Sequence, residues 1–206
     1  MSHKPETNKL KPPVYDRLAS GYERAIAPLE RRFLTRLRRR TLSELDAGAR
    51  VLEVGAGTGL NFAFYPTGAS GVASDLSGEM LRLAQEKERP PDVVLARHGA
   101  ERLPYADDAF DAAFATLVFC SVASPAEAFA ELRRVVRMGG TVVLLEHVRP
   151  AGILGYIFDA LSILTVALLD DHFNRQTAEE AHRAGLELLR VERHAFGIIQ
   201  IIVCRV

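Results

Sequence analysis

The chain has few cysteines, no net charge and no apolar stretch near its start. Its 206 residues include only Cys120 and Cys204, and both lie inside apolar runs rather than at a paired spacing. This usage indicates neither a disulfide framework nor a metal site, and it favours a reducing compartment. The polar segment 1–13 lacks the apolar core that a secretory signal needs. We therefore expect a cytoplasmic protein without a bound metal.

The overall composition is that of one soluble globular domain, here residues 1–206. Hydrophobic residues make up 48% of the chain and charged residues 25%, which excludes a disordered or collagen-like chain. The zero net charge conceals an asymmetry, because the first 50 residues hold 12 basic and 6 acidic residues. Six arginines cluster there: Arg31, Arg32, Arg36, Arg38, Arg39 and Arg40. The cluster predicts either an anionic partner or a solvated helix that packs through Phe33, Leu34, Leu37 and Leu42.

From residue 50 onward, short apolar runs alternate with segments of helical period. That alternation is typical of a parallel sheet with crossover helices. We predict strands at 50–54, 71–74, 93–97, 111–116, 141–147, 187–194 and 198–206. Helices are predicted at 60–65, 77–88 and 125–137, with Ser77 and Ser124 at two N-termini and Met138-Gly139-Gly140 ending the last helix. Residues 1–48 then form an N-terminal helical cap on this domain.

The strongest chemical signal is the segment VLEVGAGTGLN at residues 51–61, where an apolar strand runs into a glycine-rich turn. Glycines let the chain turn sharply and let backbone N–H groups approach a ligand without interference from Cβ atoms. The spacing E-x-G-x-G-x-G matches neither the dinucleotide fingerprint nor a phosphate-binding loop. Asp75 ends the next strand, 20 residues after Gly55, where an acid can accept hydrogen bonds from both ribose hydroxyls.

The glycine loop and this acid together resemble the S-adenosylmethionine (SAM) site of class I methyltransferases. The resemblance continues through SDLSGEML (74–81), GAERLPYADDAFDAAFATLV (99–118) and AELRRVVRMGGTVVLLEHV (130–148). It implies an α/β, Rossmann-like fold whose seven-stranded sheet has helices on both faces. It also implies SAM as the cofactor, with S-adenosylhomocysteine as the product. By the same resemblance, the cofactor-binding residues are Glu53, Gly55, Gly57, Gly59, Asp75, Leu76, Met80, Ala100, Glu101, Thr116, Leu117 and Val118.

One position departs from that family. Gly99 stands where an acid often contacts the adenine amino group, so the backbone around Ala100 is the expected substitute. For Thr116, Leu117 and Val118, plain core packing is the alternative to lining the pocket.

The start of the chain bears on the methyl acceptor. VYDRLASGYE (14–23) resembles the Y-D-x-x-A-x-x-Y segment of the ubiquinone/menaquinone C-methyltransferase and phospholipid N-methyltransferase group. In that group a helix closes over SAM and its tyrosines approach the methionine part. Tyr15 and Tyr22 are seven residues apart and so share one helical face. An ordinary amphipathic helix that packs its aromatic side chains is the alternative.

A second indication follows the fifth predicted strand, in the apolar segment 151–169. Gly152, Gly155, Asp159, Ser162 and Thr165 form one small or polar stripe along a helix, which argues against a membrane span. We expect a substrate-side insertion over 151–175, whose polar stripe faces the active site and whose apolar side meets acyl chains. A helix of the core is the alternative.

The motif D-H-F-N-R-x-T (171–177) directly follows this insertion. Together with LEHVRP (145–150) it resembles the soluble bacterial phosphatidylethanolamine N-methyltransferases and, more loosely, the mammalian membrane-associated thiol methyltransferases. The expected substrate-binding residues are Asp159, His172, Asn174 and Arg175, with Arg175 holding a phosphate. The last three could instead cap a helix that begins near Thr177.

Methyl transfer requires alignment of the acceptor, exclusion of water and removal of any proton that blocks the acceptor lone pair. The candidate catalytic residues are Tyr15, Tyr22, Glu146 and His147, with Glu146 expected to orient its neighbours. We expect transfer to a lipid or small apolar acceptor, first of all the amine of phosphatidylethanolamine or its methylated intermediates. The alternatives are C-, O- or S-methylation of a quinol or thiol, and a non-catalytic SAM-binding protein at the membrane. The expected location is cytoplasmic, with reversible peripheral binding to an anionic membrane surface and no nucleic-acid partner.

Overall fold

The computed structural model of the chain describes residues 14–148 and 176–206. Seven strands form one sheet: β1 (Arg50–Val54), β2 (Ser70–Asp75), β3 (Val93–Arg97), β4 (Phe110–Thr116), β5 (Val136–His147), β6 (Glu187–His194) and β7 (Ile199–Arg205). Their order is β3-β2-β1-β4-β5-β7-β6. Strand β7 runs antiparallel to both its neighbours, and the other pairs are parallel. The predicted seven-stranded α/β fold is confirmed.

The helices of the described residues are α1 (Val14–Leu29), α2 (Thr35–Leu42), α3 (Gly78–Gln85), α4 (Pro125–Val135) and α5 (Thr177–Arg183). A π-helical turn, Glu30–Leu34, joins α1 to α2, so the N-terminal helical cap is present. The side chains of Ser77 and Ser124 accept hydrogen bonds from backbone N–H groups at the starts of α3 and α4, as predicted. None of the helices within the described ranges has the length and apolarity needed to cross a membrane.

Two predicted element boundaries are wrong. The helix expected at 60–65 is only a short 3₁₀ turn, Phe62–Phe64. Strand β5 begins at Val136, directly after α4, so Gly139 and Gly140 lie inside a strand instead of ending a helix. A Cβ on Gly140 would lie 2.6 Å from the carbonyl oxygen of Asp111. Gly140 therefore permits close approach of β4 and β5 at the irregularity in their register, whereas a Cβ on Gly139 would meet nothing within 4 Å.

Both faces of the sheet are buried, and one of them holds the cap in place. Residues that alternate along β1 and β5 belong to two different hydrophobic clusters, as expected for a sheet covered on both sides. Leu37 and Leu42 of α2 pack in the cluster that contains Val51, Phe114 and Val143. This packing fixes α2 against the sheet.

Candidate active site

The backbone of the glycine loop is tied to the end of β2 by Asp75. Gly55, Gly57 and Gly59 have φ angles of +69°, +55° and +79°, a region that side-chain-bearing residues rarely adopt. Asp75 accepts the N–H of Gly57 at Oδ2 and the N–H of Ser77 at Oδ1, each at 2.8 Å. A carboxylate has about four acceptor sites, so Asp75 retains acceptor capacity for a ligand. Burial raises its pKa, and the two N–H donors oppose that shift.

A cavity of about 200 Å³ lies at the carboxyl ends of β1, β2 and β4, where residues of α1 and α2 cover it. Ten of the twelve expected cofactor residues line it: Gly55, Gly57, Asp75, Leu76, Met80, Ala100, Glu101, Thr116, Leu117 and Val118. In parallel α/β sheets, ligands bind outside the carboxyl ends of the strands. The structure therefore brings most of the predicted cofactor site together at the position such a ligand would take.

Glu53 and Gly59, the other two, stand outside the lining of this cavity. Glu53 is fully buried and accepts hydrogen bonds from Asn61 Nδ2 and from the hydroxyl of Tyr65, both at 2.6 Å. Burial raises the pKa of Glu53 to about 6, against the opposing effect of these two donors. Gly59 packs against the ring of Phe62, where a Cβ would lie 2.4 Å from Cε2. Both residues thus support the turn that follows the glycine loop.

Helix α1 is tied to the same edge of the sheet. Asp16 accepts a hydrogen bond from Ser77 Oγ at 2.5 Å, and Glu23 pairs with Lys87. The rings of Tyr15 and Tyr22 meet edge to face with their centroids 6.3 Å apart, and both tyrosines line the cavity. Helix α1 therefore carries both tyrosines to the cavity.

The other two candidate catalytic residues do not line the cavity. Glu146 is fully buried, and its Oε1 accepts the N–H groups of Val118 and Phe119 at 3.0 and 3.2 Å. It thereby holds the turn after β4, in which Leu117 adopts a φ of +60°. His147 ends β5 and pairs with Ile199 of β7, and it is not part of the cavity lining. Of the four candidates, the cavity brings together the two tyrosines.

The carboxylate of Glu101 lies beside Gly99, the position at which the family often has an acid. A Cβ on Gly99 would lie 2.9 Å from Oε2 of Glu101, and the other carboxylate oxygen accepts the N–H of Ala123 at 3.0 Å. Glu101 also lines the cavity. It therefore offers an acceptor near the missing acid, in addition to the backbone around Ala100.

Arg38 is a cavity residue that the sequence pattern places among the surface arginines. Its side chain is only 3% exposed and lines the cavity. The membrane-facing interpretation is wrong for this residue, because a guanidinium that lies inside the protein cannot face a lipid surface. A signal was available: Arg38 lies four residues after Leu34 and four before Leu42, on the helical face that packs inward.

The remaining arginines of the cluster face outward or form surface pairs. Arg40 pairs with Glu44 and with Glu192, while four others are exposed: Arg31, Arg32, Arg36 and Arg39. Leu34, Leu37 and Leu42 are buried, as the packed-helix alternative predicted.

The predicted substrate-binding residues Asp159, His172, Asn174 and Arg175 lie outside the described residues, as does the apolar segment 151–169. Within ranges 14–148 and 176–206, no group of three or more His, Cys, Asp or Glu side chains is arranged to hold a metal ion.

Comparison with known proteins agrees with the site. Residues 52–144 match the methyltransferase domain family. A phosphatidylethanolamine N-methyltransferase of Cereibacter sphaeroides is 37% identical over 131 residues, which cover 61% of this chain and 64% of that protein. A demethylmenaquinone methyltransferase of Renibacterium salmoninarum is 35% identical over 140 residues, or 66% and 58% of the two chains. A thiol S-methyltransferase of Mus musculus is 29% identical over 159 residues, or 73% and 65%.

The chain spans less than two thirds of the length of each of these relatives. Its fold also matches a solved structure, a SAM-dependent methyltransferase from Thermotoga maritima. The two superpose with a TM-score of 0.71 at 22% identity, over 93% of this chain and 98% of that one. Residues 52–144 therefore match a methyltransferase domain, and the chain around them has the class I methyltransferase fold.

Proposed function

We propose that the protein transfers a methyl group from SAM to an apolar or lipid acceptor, with the amine of phosphatidylethanolamine or its methylated intermediates as the first choice. The observation that carries the proposal is the cavity that the glycine loop, the partly buried Asp75 and the two tyrosines of α1 line together. It combines the backbone and the acid that a nucleoside cofactor needs with aromatic side chains that cover the site.

SAM supplies a methyl group that is already activated, so the protein's task is alignment and exclusion of water. Asp75 would hold the ribose hydroxyls, and the glycine loop would hold the methionine part. Tyr15 and Tyr22, which line the cavity, would cover the reacting centre with aromatic rings, a group that attracts an increasingly methylated cation. Glu146 keeps the turn at Val118 in place through the backbone. His147 is the proposed acceptor of a proton from the amine, although its side chain does not line the cavity, so the proton would have to reach it through an intermediate group or water.

Two findings support a phospholipid as the acceptor. The relative from Cereibacter sphaeroides is named a phosphatidylethanolamine N-methyltransferase, and the motifs at 145–150 and 171–177 resemble the same class. The names of the two other relatives favour a quinone precursor and a thiol as alternatives.

A panel of three acceptors tests the proposal. The purified chain, given methyl-labelled SAM, is expected to label phosphatidylethanolamine in vesicles in preference to demethylmenaquinol and an alkyl thiol. If only the quinol or only the thiol is labelled, that compound is the acceptor and the phospholipid is excluded. Binding of S-adenosylhomocysteine in calorimetry with no label in any acceptor would favour the non-catalytic alternative. An Asp75→Ala protein serves as the control for label that arises without the cofactor site.

Reversible association with anionic membranes is part of the same proposal. Arg31, Arg32 and Arg36 are exposed on the cap, and Leu29 beside them is 53% exposed. Each basic side chain near an anionic surface contributes about 1 kcal/mol, and salt screens this contribution. Basic and apolar contacts together hold a protein at a bilayer better than either does alone.

Replacing Arg31, Arg32 and Arg36 with glutamine is therefore expected to lower binding to anionic vesicles at least about tenfold. Cosedimentation at low and high salt measures the effect. The matched control changes three exposed arginines elsewhere, Arg82, Arg102 and Arg133, and is expected to bind nearly as wild type. Arg38 must stay unchanged in both proteins because it lines the cavity. If both triple variants lose the same amount of vesicle binding, net charge alone explains the effect, and the cap has no specific membrane-binding surface.

A further inference from the structure

Arg38 belongs to the cap, yet its guanidinium group lies at the carboxyl end of β4. Its Nε donates to both carboxylate oxygens of Glu30, at 3.0 and 3.2 Å. Its Nη1 donates to Asn61 Oδ1 at 3.0 Å and to Thr116 Oγ1 at 2.6 Å. The guanidinium is therefore fixed from three directions, by the cap, by the turn after the glycine loop and by β4.

One nitrogen of the Arg38 guanidinium takes no part in these hydrogen bonds. A guanidinium carries five N–H groups, of which these contacts use the one on Nε and the two on Nη1. In the part of the chain that the structure describes, Nη2 has no hydrogen-bond acceptor, although Arg38 is 97% buried and lines the cavity. Among the described residues, Nη2 is not one of the buried side-chain atoms without a partner, so it is open to the cavity that Arg38 lines. A charged N–H donor forms its strongest hydrogen bonds with an anionic oxygen. The arrangement thus indicates an anionic oxygen supplied by a ligand in the cavity.

The order of the strands indicates which part of the cofactor lies there. Ser74, Val54 and Ala115 stand level at the ends of β2, β1 and β4. With the ribose on Asp75 after β2 and the adenine toward Ala100 beyond β3, the methionine part extends past the glycine loop to β4. Its end carries a carboxylate, the planar anion that a guanidinium binds well.

We propose that Nη2 of Arg38 binds the carboxylate at the methionine end of the cofactor. This inference rests on the proposed use of SAM and assigns to the cap a share in recognising it. Glu30, Asn61 and Thr116 orient the guanidinium, so the helix that covers the site also discriminates between nucleosides with and without that carboxylate.

The test compares S-adenosylhomocysteine with its decarboxylated analogue, which keeps the adenosine, the thioether and the amine. Calorimetry gives the dissociation constant of each ligand, and the ratio of the two is the readout. Wild type is expected to prefer S-adenosylhomocysteine by about 10- to 100-fold. In Arg38→Ala the ratio is expected to fall toward one, and in Arg38→Lys to an intermediate value. Arg39→Ala, which changes the exposed neighbour, is expected to keep the wild-type ratio.

The ratio of the two dissociation constants shows whether Arg38 recognises the carboxylate or only stabilises the fold. A loss of stability in Arg38→Ala lowers the folded fraction for both ligands equally, whereas loss of the carboxylate contact affects one ligand. An unchanged ratio, with both ligands bound more weakly, would overturn the inference and leave the proposed function standing. An unchanged ratio with a raised KM for phospholipid would also overturn it, because Arg38 would then contact the phosphate of the acceptor. If wild type binds neither ligand, the proposed function fails and this inference fails with it.

Discussion

Replacing Asp75 with alanine is expected to weaken the binding of S-adenosylhomocysteine at least about 100-fold. On the proposed function, the variant loses two hydrogen bonds from ribose hydroxyls to a partly buried carboxylate, each contributing about 1.5–3 kcal/mol. The loss is compounded because the N–H groups of Gly57 and Ser77 lose their acceptor, which loosens the glycine loop itself. Calorimetry on the purified variant measures the affinity, and thermal unfolding shows whether the sheet remains intact.

Two further variants show whether the effect belongs to this carboxylate. Asp75→Asn keeps the shape and one oxygen acceptor, so its affinity is expected to lie between those of wild type and Asp75→Ala. Asp46→Ala removes an exposed carboxylate before β1 and is expected to bind as wild type. If the Asp75→Ala protein is folded and binds S-adenosylhomocysteine with wild-type affinity, Asp75 does not bind the ribose.

The strand–loop–strand unit around Asp75 could be predicted from the sequence because its determinants are local. Strand β1 has the predicted bounds, and all three glycines of the loop adopt positive φ. The unit needs a strand that turns sharply at glycines and a second strand that ends in an acid. Both features can be read within 25 consecutive residues, 51–75. Most residues of the proposed cofactor site belong to this unit or to the loops after β3 and β4.

Arg38 could not be assigned in the same way, because its partners are distant in sequence. They lie 8, 23 and 78 residues away, and only the packing of α2 on the sheet brings them together. Helical spacing identifies the inward face of α2, but arginine on that face is ordinarily assigned to the surface. The functional meaning of a buried charge depends on the groups that meet it, and single-sequence patterns do not contain that information.

The error at β5 has a different physical origin. Two consecutive glycines after a helix usually mark its end, and here they follow α4 closely. The chain instead enters β5 at Val136 and uses Gly140 for a close contact with the backbone of Asp111. A close approach of two strands and a helix C-terminus both require a residue without Cβ, so the sequence pattern is the same for the two structures.

Replacing Gly55 with alanine is expected to abolish measurable binding of S-adenosylhomocysteine, a loss of more than about 100-fold. A Cβ at this position would lie 2.3 Å from Cγ2 of Val118 and 2.7 Å from Cγ1. Val118 cannot retreat freely, because its N–H is held by the buried carboxylate of Glu146. Both residues line the cavity, so the displacement that relieves the clash must distort the cofactor site. Calorimetry on the folded variant checks this result.

Gly48 provides the matched control, because its φ of +75° is close to the +69° of Gly55, while nothing lies within 4 Å of its added Cβ. Gly48→Ala is expected to cost about 1–2 kcal/mol of stability from the left-handed backbone alone and to leave cofactor binding unchanged. In the double variant Gly55→Ala/Val118→Ala the two clashing Cγ atoms are absent, so part of the affinity is expected to return. If Gly55→Ala bound S-adenosylhomocysteine as well as Gly48→Ala does, backbone strain would be its only cost, and the contact with Val118 would have no role in shaping the site.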